Sequence, residues 1–549
     1  MFLPARFSNE MQDSSDKNLW RRMRIMSQEF DYIVVGAGSA GGLLAEKLSR
    51  NGKHTVLLLE GGGTNKRFLI EMPAGWGKML YDKNFSWGNE TEPEEWAGGR
   101  RLKLPRGKAL GGSSSINGLL YVRGHKLDYQ DWVDAGCPGW GWDEMLPHFT
   151  QTEDQKVLKN KFHGTGGALT AGPQPYAHPT SAAMVQAAIQ AGHKPTDDFN
   201  NGEPDGAGYW QVNIENGKRS SVAVRAIEPA MKRSNFTAVT NALVHKVVMD
   251  GNKRATGVKY QVGGGAVVEA KAKREVLVCA GAFNSPQILM LSGIGPAEHL
   301  KEMGIPVVQD APGVGQNLQD HVTVPMCWTV KEAPQSLNSK FRGLAALGPV
   351  FEYLFKKKGP LTIPATDFAA YFKSSPELRM NDIQVFGTPI SGDAYAMEAD
   401  GKEGIEPDAV PGLTMGPCQV RPHSRGWIKL RSANPADKVR IQMNYLQDER
   451  DRKAFLSAIR KLREIAEQPA LAAIIKEESR PGKAVQTDEQ LLEWTKKYIT
   501  SVHHAVGTVK MGAADDAMAP LTPDHKVKGI TGLRVVDASI MPNLPSGNT

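Results

Sequence analysis

The chain has 549 residues, 40% of them hydrophobic and 23% charged, with a formal net charge of +7. That length exceeds a single hydrophobic core, so two or more domains are expected. The small charge, with no basic stripe interleaved with aromatics, argues against a nucleic-acid partner. Four scattered cysteines, Cys137, Cys279, Cys327 and Cys418, show no C-x-x-C or metal-ligand spacing, so no metal site is expected and reduced thiols in a cytoplasm fit best.

Taken in chain order, residues 1–28 are polar and include Arg21-Arg22-Met23-Arg24. No apolar stretch of signal-peptide length follows. They read as a disordered extension, or as the product of an early start codon with Met26 as the true start. No run of 18 apolar residues occurs anywhere, so no membrane span is predicted. Attachment to a membrane surface stays compatible with this.

Order begins with Ile33 to Val35, a short apolar run that reads as a buried parallel strand. It enters Gly36-x-Gly38-x-x-Gly41, and a helix-competent run from Leu43 to Leu48 follows. In that setting one glycine permits the tight turn, one lets the backbone approach a pyrophosphate, and one lets helix and strand pack closely. The free N–H groups at the helix start favour phosphate. A second strand, Thr55 to Leu59, ends in Glu60, roughly 20 residues past the glycines, where a carboxylate meets an adenosine ribose. These features indicate a dinucleotide but leave NAD and FAD both open.

Residues 61–110 are rich in Gly, Pro and aromatics, including Trp76, Trp87 and Trp96, and suggest a functional loop or lid. Pro105 to Asn117, PRGKALGGSSSIN, offers backbone and hydroxyl donors to phosphates or to a polar ring edge. Asp250-Gly251 between two apolar runs predicts a hairpin. Glu275 to Cys279 predicts a central parallel strand, with a glycine turn and a helix over Ile288, Leu289 and Leu291 after it. Trp427 to Leu430 alternates as a half-exposed strand does. Arg450 to Glu467 has helical spacing at Phe455, Ile459, Leu462 and Ile465, and Pro469 is expected to end that helix.

Further motifs are GAFNSPQILMLSGIGP at 281–296, GVGQNLQDH at 313–321, HSRGWIKLRSANP at 423–435, VHHAVGTVKMG at 502–512 and LRVVDASIMPNLPSGNT at 533–549. With the opening fingerprint, and in this order from about residue 30 onward, they closely resemble the glucose–methanol–choline (GMC) family of FAD-dependent alcohol oxidoreductases. The resemblance selects FAD over NAD. It implies an α/β fold with an FAD-binding Rossmann-like domain of the glutathione-reductase type, plus a substrate domain with an antiparallel sheet over the flavin. The expected boundaries are 29–325 for the FAD domain, 326–495 for the substrate domain and 496–549 for a return to the FAD domain.

By the same resemblance, Gly36, Gly38, Ser39, Ala40, Gly41 and Glu60 hold the adenosine diphosphate. Gly107, Gly111, Gly112, Ser113 and Asn117 line the flavin, and Val244 and Asp537 complete the cofactor set. Some members attach FAD to a histidine on this loop. Ile116 stands at that place here, so dissociable FAD is expected.

His504 matches the catalytic histidine and Asn548 the second active-site position. Histidine suits proton transfer near neutrality, and an amide can hold the substrate oxygen. The expected reaction takes a primary alcohol, choline or another small alcohol, to the aldehyde. His504 removes the hydroxyl proton and hydride passes to flavin N5. Oxygen or a quinone is the expected acceptor. His503, commonly an aromatic in the family, is expected to pack or hydrogen-bond, and Ala505 stands where proline is frequent. Two rivals are a hydroxynitrile-lyase-type enzyme on this scaffold and a low-activity flavin-binding protein. The latter is suggested because family members continue past SGNT with a helix facing the flavin.

Overall fold

The structure, a computed structural model, describes residues 29–392 and 406–549. The expected extension 1–28 lies outside the described residues. Two sheets organise the chain.

The first sheet is built on strands with almost no polar interruption. Glu29–Val35 lies between Val56–Leu59 and Val267–Val278, parallel to both, and Phe236–Val239 extends the sheet beyond Val56–Leu59. Val56–Leu59 (VLLL) is buried at every position, as a strand covered on both faces must be. Val267–Val278 changes partner along its length. Its first residues pair antiparallel with Ala255–Val262, while Val276, Leu277 and Val278 run parallel to Leu533–Val535 near the end of the chain. Ala242–Met249 and Ala255–Val262 form the hairpin expected around Asp250-Gly251. Five parallel strands therefore end side by side, at Val239, Leu59, Val35, Val278 and Val535, and in open α/β sheets the ligand crevice lies outside such carboxyl ends.

The helix over Ile288 to Leu291 spans Gly281–Leu291. The helix expected from Arg450 spans Glu449–Ala466, with Asp448 accepting from the Arg450 amide as its cap. The helix stops ahead of Pro469 as expected: Gln468 is extended, as a residue preceding proline prefers, and Pro469 itself opens the next turn, Pro469–Ala472.

The second sheet is antiparallel and has eight strands. Its main path runs Ile475–Arg480, Met326–Val330, Gly412–Gln419, Ile383–Thr388, Phe368–Phe372 and Gly206–Tyr209. Val322–Thr323 and Thr500–Ser501 pair with each other beside Gly412–Gln419. Along Phe368–Phe372, Phe368 and Ala370 join the main core with Met184 and Ile459. The alternate residues Ala369 and Tyr371 join Phe199, Trp210 and Phe386 in a separate cluster. One face of this sheet is thus packed against helices and the other is aromatic. Trp427–Lys429 pairs only with Arg440–Gln442, apart from this sheet. No helix among the described residues is long and apolar enough to cross a membrane.

Candidate active site

The predicted cofactor residues gather at the carboxyl ends of the first sheet. Gly36 has φ +103°, and a Cβ on it would stand 2.4 Å from the Cys279 carbonyl oxygen. A Cβ on Gly41 would stand 2.0 Å from the Gly36 oxygen, whereas Gly38 faces open space. These are the three separate demands expected of the fingerprint. The helix is Ser39–Ser49, and Gly38 gives it no side-chain cap, so the first-turn amides of Ser39, Ala40 and Gly41 have no capping side chain.

Glu60 is fully buried. It accepts from the Ala37 amide at 2.9 Å and the Gly62 amide at 2.7 Å, and burial pushes its carboxyl up to about 7. It therefore also shapes the glycine turn. Asp537 follows the last parallel strand. Its Oδ2 accepts from the Gly281 amide at 2.8 Å and the Ser285 hydroxyl at 2.5 Å. Val244 is buried in the hairpin, opposite Tyr260.

The loop from Gly107 to Asn117 folds directly onto the fingerprint. The Gly111 amide donates to the Ala37 carbonyl at 2.8 Å, and a Cβ on Gly112 would stand 2.7 Å from the Gly38 Cα. Much of the loop's hydroxyl capacity is spent internally. Ser113 Oγ accepts from the Gly107 amide, Ser114 donates to the Gly111 carbonyl and Ser115 to the Leu110 carbonyl.

Two buried arginines missed by sequence reasoning serve this loop. Arg219 Nη1 donates to the carbonyl and to Oδ1 of Asn117, at 2.8 and 2.7 Å. Burial pushes its guanidinium down to about 9. Arg106, next to Gly107, lies 4.6 Å over the Phe283 ring with its buried Nη2 unpartnered.

These residues fit FAD. The space over Gly38 is open, the helix amides are uncapped, Glu60 is buried at the end of the second strand beside the glycine turn, and a buried cationic donor at Arg106 has no partner on its Nη2.

The second end of the site is a network of side chains. The segment Gln319-Asp320-His321 holds the predicted catalytic tail at three points. Gln319 Oε1 accepts from the Leu544 amide at 3.1 Å, and its Nε2 donates to the Pro542 carbonyl at 3.1 Å. Asp320 Oδ1 accepts from the His504 amide at 2.6 Å, while Oδ2 accepts from the Tyr445 and Ser501 hydroxyls at 2.7 and 2.5 Å. His321 Nδ1 lies 3.0 Å from His504 Nδ1, and His321 Nε2 lies 3.2 Å from the Val420 carbonyl.

A carbonyl only accepts, so His321 carries its proton on Nε2. Burial pushes His321 down to about 3, which keeps the ring neutral with Nδ1 as an acceptor. His504 must then donate from Nδ1, and its Nε2 bears the lone pair. Burial, helped by His321, His503 and Arg106, holds His504 well below its ordinary 6.5.

His503 is half-buried with φ +68°, and its two buried ring nitrogens have no hydrogen-bond partner. The hydrogen bond that was one of the two roles expected for it is not formed.

Asn548 Oδ1 accepts from Gln384 Nε2 at 3.1 Å, and the same Nε2 also donates to the Tyr371 hydroxyl. The Asn548 amide orientation is thereby set, leaving Nδ2 as its donor side. The chain before it is pinned by buried Asp128, which accepts from the Ser546 amide and hydroxyl at 2.7 and 2.6 Å and pairs with Arg421. The sequence signal for Gln319, Asp320 and His321 was the GVGQNLQDH motif itself, which carried the resemblance without a role attached.

The family profile for GMC oxidoreductase matches residues 30–323 and again 422–549. The chain belongs to the GMC oxidoreductase family. It is an FAD-dependent oxidoreductase acting on CH–OH donors. It is 39% identical over 529 residues to the oxygen-dependent choline dehydrogenase of Vibrio vulnificus strain YJ016, covering 95% of this chain and 92% of the relative. The oxygen-dependent choline dehydrogenase of Pseudomonas fluorescens strain SBW25 is 40% identical over 531 residues, covering 95% and 91%. Among solved structures, pyridoxine 4-oxidase from Mesorbium loti aligns with a TM-score of 0.83 at 29% identity, covering 94% of this chain and 96% of that one. A formate oxidase aligns with a TM-score of 0.87 at 25% identity, covering 94% and 95%.

Proposed function

We propose that this GMC oxidoreductase oxidises the hydroxymethyl group of a small primary alcohol, choline or a choline-like one, to the aldehyde. The observation that carries the reading is the histidine pair. The Val420 carbonyl sets the tautomer of His321, His321 sets that of His504, and an unprotonated Nε2 results. That nitrogen accepts the hydroxyl proton of the alcohol. Asn548 Nδ2 donates to the substrate oxygen and orients it, and Gln384 and Tyr371 behind it keep the amide from turning. When bound, FAD supplies the two-electron acceptor for the α-hydrogen as it leaves as hydride, which completes the carbonyl.

Behind Asn548, Phe199, Trp210, Tyr371 and Phe386 form a buried cluster whose rings pack on one another, so it backs the amide and leaves the choice of choline to the relatives. The names of the two bacterial relatives supply that choice. The cofactor is held without a covalent bond, because Ile116 is an inert residue packed with Ile70 and Met79; denaturation should release all of the flavin into the supernatant. Four buried cysteines that form no disulfide among the described residues fit a cytoplasmic setting.

The test is an anaerobic panel of alcohols, choline included, scored by bleaching of the flavin and followed by admission of air. Bleaching by choline supports the proposal, and fast recovery in air identifies oxygen as the acceptor where slow recovery favours a quinone. Cleavage of a cyanohydrin without bleaching by any alcohol would replace this reading with a lyase.

A further inference from the structure

The helix Leu347–Lys356 is inverted relative to an ordinary surface helix. At about 100° per residue, Leu347, Val350, Phe351, Leu354 and Phe355 share one arc. All five are exposed, from 37% for Val350 to 81% for Phe355. Leu344, in the turn Gly343–Ala346 just before, is 85% exposed. Phe351 and Phe355 stack with their ring centroids 6.3 Å apart, and Phe68, half exposed, lies edge-on to Tyr353. Only Tyr353 of this helix is buried, and it packs with Met72 and Leu361. A contiguous apolar patch of this kind marks a surface that meets something.

The charge around the patch says what it meets. From Ser336 to Thr366 the chain carries Lys340, Arg342, Lys356, Lys357 and Lys358 against a single acid, Glu352. An apolar and aromatic face flanked by cations matches an anionic lipid surface, where the rings enter the acyl boundary and the lysines meet the headgroups. A second copy of the chain would bring the same cations face to face.

We propose that the Leu344–Phe355 face, together with Phe68, docks the protein on an anionic bilayer. The root of this helix reaches the cofactor loop through short links. Ala365, just past the helix, donates its amide to the Gly118 carbonyl at 3.0 Å. Arg219 ties the Ile70 carbonyl, two residues from Phe68, to Asn117.

The test uses the FAD-loaded enzyme and flotation with two kinds of vesicle, pure phosphatidylcholine and phosphatidylcholine with phosphatidylglycerol. Binding to the anionic vesicles is expected, weaker at high salt and at least about tenfold weaker on the neutral ones. The double change Phe351→Ser with Phe355→Ser should weaken vesicle binding at least about tenfold, since each ring gives up its transfer into lipid. Leu344→Ser, on a separate turn, should do the same to a smaller degree if the helix variant fails to fold. Lys356→Gln with Lys358→Gln should remove the preference for anionic lipid. All variants should keep their flavin content and their turnover with a soluble dye. Failure of the FAD-loaded enzyme to float with anionic vesicles would overturn the proposal. So would unchanged flotation of the Phe351/Phe355 variant. A dimer in light scattering that the same variant dissociates would assign the face to a second copy instead.

Discussion

The two ends of the proposed active site are made of different material. The cofactor end is mostly main chain: Gly36, Gly38 and Gly41, the uncapped amides of Ser39–Ser49, and Gly111 and Gly112 laid against Ala37 and Gly38. The catalytic end is mostly side chains: Asp320, His321, Tyr445 and Ser501 around His504, and Gln384 and Tyr371 behind Asn548. Backbone fits a ligand by approach distance, so a single added methyl group damages it. A side-chain network fits by proton position, so isosteric changes that alter one hydrogen bond damage it instead. Losses at the first end should therefore appear as lost cofactor, and losses at the second as lost rate per bound cofactor.

The largest effect belongs to the proton acceptor. His504→Ala should lower kcat/KM with the alcohol by about 10²- to 10⁴-fold while flavin absorbance per protein stays near wild type. Activity within a few-fold of wild type would remove His504 from the chemistry.

Two intermediate effects test the contrast from opposite sides. His321→Phe leaves the His504 Nδ1 proton without its acceptor in a buried site, a loss of about 1–3 kcal/mol, or roughly ten- to a hundredfold in rate. His321→Gln retains an acceptor and should recover most of it. The pH profile carries the same information. In the wild type His504 stays unprotonated well below 6.5, so kcat/KM should remain level as pH falls through 6.5 and decline only lower. His321 is one of the groups that depress His504, so removing it raises the value and should move the acid limb up toward 6.5. A purely structural role for His321 would lower the rate without moving that limb.

At the other end, Gly41→Val places atoms where a Cβ already meets the Gly36 oxygen at 2.0 Å. Overpacking of about 1–3 kcal/mol should weaken FAD binding roughly ten- to a hundredfold. Turnover per bound flavin should hardly change.

The same division explains what could be read from the sequence. VLLL at Val56–Leu59 announces a fully buried strand, and the spacing Gly36-x-Gly38-x-x-Gly41 announces a turn, because both requirements are local. The helix Glu449–Ala466 was legible for the same reason, since its buried positions repeat with helical spacing. The proposed catalytic network is assembled from residues far apart in sequence. Asp320 reaches the His504 amide across 184 positions, and Asp128 reaches Ser546 across 418. No periodicity marks such partners, and Val322–Thr323 and Thr500–Ser501, the two-residue strands that bring them together, are too short to carry a pattern. Pro469 marks the end of the helix Glu449–Ala466 and also opens the next turn. Arg106 and Arg219 look like surface residues until the fold buries them, since a buried guanidinium has no local sequence mark.

The smallest effect is the most discriminating. The Asp320 carboxylate receives three bonds, from the His504 amide and from the Tyr445 and Ser501 hydroxyls. Tyr445→Phe keeps the ring and removes one of them. Asp320 retains Ser501 on the same oxygen and the nearby Arg106 charge, so it is weakened as an anchor without being orphaned. A hydrogen bond to a charged group is worth about 1.5–3 kcal/mol, and with Ser501 still on the same oxygen only part of it is lost, which corresponds to a few-fold drop in kcat/KM with flavin content untouched. The opposite pattern, lost flavin with normal turnover per flavin, would mean that Asp320 acts through Arg106 on the cofactor loop, and the two ends would then be one electrostatic unit rather than two.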